Sequence, residues 1–136
     1  LPTLISTDFA TMQAAIETVR QALADGVPGV LGIHLEGPFL NPDKRGIHNT
    51  DRFCPLDDAA FDLLTSLPEA VTLVTLAPEC TSAAMIVRLR ERGVLVFGGH
   101  SAASYAQTRA ALDAGLRGRR KPVRGSLDCT DRKSLA

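Results

Sequence analysis

Three short apolar runs, residues 30–35, 71–76 and 94–97, constrain this chain more than any other feature. None alternates apolar with polar residues, so none has a solvated face, and each reads as a strand buried on both sides. The segments between them have helical spacing. Phe9, Met12, Ile16, Val19 and Leu23 recur every three or four residues behind Asp8, a helix cap, and ahead of Gly26, a helix stop. Asp57 opens a short helix with Phe61, Leu64 and Leu67 facing inward, and Pro68 ends it. Residues 81–92 form a helix that Gly93 closes, and Ser104 with Gln107 forms a capping box for a helix ending at Gly115. Strands alternating with helices predict an α/β fold with a parallel sheet and right-handed crossovers.

Length limits how that sheet can close. At 136 residues the chain is short for an eight-stranded α/β barrel, which takes roughly 250. Leu1 stands where an initiating Met is usual, so we expect further chain ahead of it. Fifteen basic residues balance fifteen acidic ones, which argues against a dedicated nucleic-acid binder. No apolar run approaches the roughly 18 residues of a membrane span, and no signal peptide is visible. Cys54, Cys80 and Cys129 match no zinc or redox spacing. They point to a reducing, cytoplasmic setting. The neutral total hides a split: residues 117–136 hold seven basic and two acidic side chains. That stretch also loses hydrophobic periodicity, so residues 1–118 form one unit and residues 119–136 a basic tail expected to be disordered.

The polar residues are informative by position. The first strand runs into Glu36, the second into Glu79 and the third into Gly98, Gly99 and His100. In parallel α/β folds the loops at the C-terminal strand ends converge on one face and carry the chemistry. Glu36, Glu79 and His100 are therefore expected around one mouth. Carboxylate and imidazole both suit zinc, iron or manganese. Spacing leaves two alternatives open, a salt-bridged or capping Glu36 and a loop histidine bonded to backbone at His100. His34 reads as a satisfied core histidine. Lys44, Arg45 and His48 read as a solvated loop, with anion binding as the alternative.

Three collinear stretches then carry a resemblance. The run His34-Leu35-Glu36-Gly37-Pro38-Phe39-Leu40-Asn41-Pro42, with Lys44-Arg45-Gly46-Ile47-His48 behind it, resembles N-acetylglucosamine-6-phosphate deacetylases. Thr75-Leu76-Ala77-Pro78-Glu79 and Gly98-Gly99-His100-Ser101 resemble two further segments of that family, and residues 1–5 resemble the segment ahead of them. The resemblance covers about residues 1–118. It implies a partial (β/α)8 barrel of the TIM type within the amidohydrolase superfamily. It implies hydrolysis of N-acetylglucosamine 6-phosphate to glucosamine 6-phosphate and acetate, a divalent metal (zinc, iron or manganese), and a homodimer. Carried over by motif, Glu36 and His100 are metal ligands, while Ile47 (through its backbone) and His48 contact the amino-sugar phosphate. The resemblance assigns Glu79 no role.

The match stops near Gly118. Where the family carries a second histidine ligand this chain has Lys121, and the catalytic aspartate that acts as general base and acid has no counterpart here. A reading-frame slip near residue 119, a vector-derived tail or a native tail would each explain this. Reading the encoding DNA in all frames separates them. The chain by itself is expected to be an incomplete enzyme. Two other readings remain: an amidohydrolase for a different amide, and a shortened, non-catalytic binding protein.

Overall fold

The computed structural model describes residues 1–118. The basic tail, with Lys121 and Cys129, lies outside the described residues. Among the described residues eight strands and α-helices follow one another: β1 (Thr3–Ile5), α1 (Phe9–Ala24), β2 (Gly32–Glu36), α2 (Asp58–Leu64), β3 (Val71–Leu76), α3 (Ala83–Glu91), β4 (Leu95–Gly98) and α4 (Tyr105–Asp113). The four strands are all parallel and lie in chain order β1-β2-β3-β4. Among the described residues the order never reverses, so this sheet shows no switch point of the doubly wound kind and is built like part of a barrel wall.

Helix caps are where the residue types demand them. Asp8 accepts from the Thr11 N–H at 2.8 Å, and Asp57 accepts from the Ala60 N–H at 2.9 Å. Ser104 and Gln107 close the expected capping box. α3 is capped by Ser82, whose hydroxyl accepts from the Met85 N–H, so the helix begins slightly later than its periodicity indicates. Leu67 is buried as expected but lies beyond the end of α2.

β1 is the element that the sequence pattern does not reveal. It is three residues long, directly follows Pro2, and only its central residue is partly buried. Pairing with β2 makes it a strand: Thr3 aligns with His34 and Ile5 with Glu36.

The core lies between one sheet face and the helices. Ile33, Leu35, Val74, Leu76 and Val96 meet Met12, Ile16 and Val19 of α1, Phe61 and Leu64 of α2, and Ile86 and Leu89 of α3. Alternation puts the other strand residues on the opposite face. Register sets them in two rows, Thr3–His34–Leu73–Leu95 and Ile5–Glu36–Thr75–Phe97. Among the described residues this second face is not fully covered: Leu73, Leu95 and Phe97 are half-buried and Ile5 is exposed. The expectation of strands buried on both faces therefore holds for only one face here. An apolar run shows that a strand can be buried, not which layer buries it.

Candidate active site

Glu36 is the last residue of β2, and His100 follows β4 by two residues. Although 64 residues apart, they meet, with His100 Nε2 3.1 Å from Glu36 Oε1. The β2–β3 register and the β3–β4 register bring both strand ends to one edge. His48 comes from the long loop after β2 and is only 3% exposed. Its ring stands edge-on to that of His100, with centroids 4.5 Å apart. Glu36, His48 and His100 each direct one donor atom into a cluster in which all such atoms lie within 4.8 Å of one another. Sequence spacing by itself leaves His48 in a solvated loop. The fold buries it beside the two strand-end residues.

Hydrogen bonds assign the tautomers of both rings. His100 Nδ1 lies 2.9 Å from the Lys44 carbonyl oxygen, which can only accept. Nδ1 therefore carries a proton, and in the neutral ring Nε2 presents its lone pair to Glu36 Oε1. Two acceptors at 3.1 Å need a proton or a cation between them. A histidine oriented by a backbone carbonyl through its other nitrogen is the usual arrangement of a metal-ligating imidazole. The donor set thus fits a divalent metal held by the Glu36 carboxylate and His100 Nε2.

His48 is set the other way. The Ser6 N–H points at His48 Nδ1 from 3.4 Å, and the Ser6 hydroxyl lies 2.8 Å from the same nitrogen. An N–H can only donate, so Nδ1 accepts and Nε2 carries the proton. The ring then offers a hydrogen-bond donor on the side away from Ser6, where a ligand would need a lone pair. Burial holds the His48 pKa below its ordinary value, and the neighbouring His100 pushes it the same way against an opposing pull from Glu36. His48 is thus neutral near pH 7.

The backbone of His100 is unusual. Its φ of 48° is the left-handed state, the only such case among the described non-glycine residues. That state costs an L residue on the order of 1–2 kcal/mol and persists only where neighbours hold it. The Asn41 N–H donates to the His100 carbonyl at 3.1 Å, and the ring is tied to Lys44.

The remaining candidates fall in different places. Ile47 is 86% exposed beside His48. Arg45 is exposed, and Lys44 serves the site through its carbonyl. His34 is the satisfied core histidine expected of it, bonded to Thr3 Oγ1 at 3.0 Å and to Thr75 Oγ1 at 2.9 Å. Glu79 does not join the cluster of Glu36, His48 and His100; its carboxylate turns to Asn41, Ser101 and the Ala102 N–H. Burial acts to raise the Glu79 pKa, but the hydrogen bonds, led by those from Ser101 and Asn41, outweigh it and hold the carboxyl below its usual range. Sequence reasoning missed Ser6 and the Lys44 carbonyl. No residue-type signal marks a backbone acceptor, and Ser6 reaches His48 only through the fold.

The chain is similar to proteins of known activity. It is 40% identical over 122 residues to the N-acetylgalactosamine-6-phosphate deacetylase of Escherichia coli O157:H7, covering 87% of this chain and 32% of that protein. The crystal structure of N-acetylglucosamine-6-phosphate deacetylase from Pasteurella multocida superposes with a TM-score of 0.79 at 31% identity, covering 85% of this chain and 30% of that one. A mutant of the Mycobacterium smegmatis enzyme in complex with N-acetyl-D-glucosamine-6-phosphate gives a TM-score of 0.72 at 34% identity, over 83% of this chain and 30% of that one. No family model matches the chain. The chain therefore spans about a third of the length of the relatives it matches.

Proposed function

From the premise that this chain is homologous, as a partial chain, to the N-acetylhexosamine-6-phosphate deacetylases, we propose that it supplies part of the active site of such a hydrolase. The fold is part of the α/β barrel of those enzymes. The reaction is removal of the N-acetyl group from N-acetylglucosamine 6-phosphate, or from its galactosamine counterpart, releasing acetate. The observation that supports this most is the meeting of Glu36, His48 and His100 at the C-terminal strand edge.

Each side chain has a part set by its hydrogen bonds. Glu36 and His100 would hold a divalent metal, zinc, iron or manganese, with the carboxylate and Nε2 as the available donors. When bound, such a metal activates water and polarises a carbonyl. His48 keeps its proton at Nε2 and donates it as a hydrogen bond to the acetamido carbonyl oxygen. That bond strengthens as the oxygen gains charge in the tetrahedral stage, an effect that makes a donor of this kind worth about 10²–10³ in rate. The Ile47 backbone borders the sugar phosphate beside His48. No described residue is assigned as the general acid and base, since the Glu79 carboxylate is committed to three donors. The same reading carries an amino-sugar phosphate as small-molecule partner, a homodimer and a cytoplasmic setting.

The test is a graft. Residues 1–118 replace the matching segment of the E. coli N-acetylgalactosamine-6-phosphate deacetylase, and acetate release from both hexosamine phosphates is measured. A working graft that loses at least about 100-fold on His48→Ala supports the reading. A folded, metal-loaded graft that is inactive where its parent is active overturns it.

A further inference from the structure

Glu79 has no partner in the cluster of Glu36, His48 and His100, yet its hydrogen bonds tie its own turn to two other loops. Its Oε1 accepts from Asn41 Nδ2 at 2.9 Å and from the Ala102 N–H at 2.5 Å, and its Oε2 accepts from the Ser101 hydroxyl at 2.6 Å. Asn41 lies in the loop after β2, Glu79 in the turn Pro78–Cys80 after β3, and Ser101 and Ala102 in the loop after β4. The connections continue beyond the carboxylate. Ser101 Oγ also accepts from the Ala103 N–H at 2.9 Å, so its own proton is directed to Glu79. Asn41 Oδ1 accepts from the Asp43 N–H, which orients the amide so that its NH2 faces Glu79.

His100 lies between these contacts. On one side the Asn41 N–H holds its carbonyl oxygen. On the other, Ser101 and Ala102 are held by Glu79. His100 also has the left-handed backbone that a non-glycine residue leaves unless it is restrained.

We infer that Glu79 is a positioning residue, a carboxylate staple across the loops after β2, β3 and β4 that holds His100 in its left-handed conformation with Nδ1 on the Lys44 carbonyl and Nε2 toward Glu36. It touches neither substrate nor metal. The consequence for metal binding rests on the reading of Glu36 and His100 as the metal-holding pair, whereas the consequence for the His100 ring does not.

Glu79→Gln and Glu79→Leu separate the staple from simple burial. The glutamine oxygen in the Oε1 position still accepts from Asn41 and Ala102, and its NH2 can donate to Ser101 Oγ. Leucine retains bulk and loses every bond. The first readout is the His100 tautomer in the metal-free 136-residue chain, from long-range 1H–15N spectra of histidine-labelled protein. The parent chain and Glu79→Gln are expected to show one ordered His100 ring with its Nδ1 proton on the Lys44 carbonyl and, without metal, a proton between Nε2 and Glu36, and Glu79→Leu an averaged ring. A folded Glu79→Leu with the parent tautomer overturns the inference.

The second readout is titration with Co2+ alone, followed by its visible absorption. Glu79→Leu is expected to weaken binding about 10- to 100-fold and change the band intensities, with Glu79→Gln close to the parent. Unchanged affinity and spectrum in folded Glu79→Leu, with only thermal stability lowered, would mean a structural role and would also overturn the inference. If the parent chain and Glu36→Gln bind Co2+ alike, the metal reading fails, and the tautomer still decides the role of Glu79. Should Glu79→Leu not fold, Ser101→Ala and Asn41→Ser each remove one bond. Both are then expected to broaden the His100 signal, and an unchanged signal in both overturns the staple.

Discussion

Gly99→Ala tests how the sheet supports His100. A Cβ on Gly99 would stand 2.5 Å from Thr75 Cγ2, whereas carbon atoms in contact prefer about 3.5–4.0 Å. One of the two groups must move by about 1 Å. Neither is free to do so. Thr75 is fully buried, and rotating its methyl away would break the 2.9 Å bond from its hydroxyl to His34 Nε2. Gly99 is pinned by its N–H on the Leu76 carbonyl at 2.9 Å. Overpacking of this kind costs about 1–3 kcal/mol, and the lack of slack here points to the upper half. Thr75→Ser removes the obstructing methyl and keeps the hydroxyl on His34, at about 1 kcal/mol for the lost methyl. In the double variant the new alanine methyl fills the vacated space, so the total should return to within about 1 kcal/mol of the parent, a coupling of about 2 kcal/mol. Urea unfolding followed by far-UV circular dichroism reads all four corners of the cycle. If the two substitutions simply add, the contact is relieved elsewhere and the steric argument is wrong.

Glu79 should also appear in the acid limb of stability. Its folded carboxyl lies below the ordinary value, so its contribution is complete above the unfolded pKa of about 4.3 and is lost as pH falls through the folded value. Glu79→Gln should flatten urea midpoints between about pH 5 and pH 3, and an unchanged slope would contradict the sign. Asp57→Ala removes the cap on the Ala60 N–H and should cost about 1 kcal/mol, measured as a shift in denaturant midpoint at constant slope. Leu89→Ala empties a site that is 0% exposed beneath β4 and should cost about 2–5 kcal/mol; a loss under 1 kcal/mol would place the core elsewhere. Assayed by itself, the 136-residue chain should release no acetate from N-acetylglucosamine 6-phosphate, because Glu36 is the only carboxylate in the described cluster and the proposed function gives it to the metal. Measurable turnover would refute that assignment.

Much of the fold was legible because local chemistry and tertiary packing agree. The three- and four-residue spacing behind Asp8 marks α1, and Met12, Ile16 and Val19 on that face are its buried residues. Gly26 sits at φ 66° where the helix stop was expected. β1 was not legible because three residues carry too little pattern and gain strand geometry only by pairing with β2. The site divides in the same way. Glu36 and His100 stand out because strand ends in parallel folds face one edge. His48 was separable from a solvated loop only through the resemblance, and Glu79 had a location without a role.

The residues by themselves determined that this is a helix-and-strand chain with parallel strands, and that a carboxylate and an imidazole end two of them. Periodicity and capping act within a few residues, so they survive in one dimension. Only the tertiary structure decided which nitrogen of each ring meets Lys44 or Ser6, that His48 is buried beside Glu36 and His100, and that Glu79 ties loops instead of joining the cluster. Those outcomes depend on the Lys44 carbonyl, the Ser6 N–H and the Ala102 N–H. Every residue carries such backbone groups, and only the fold selects which of them meets a given side chain.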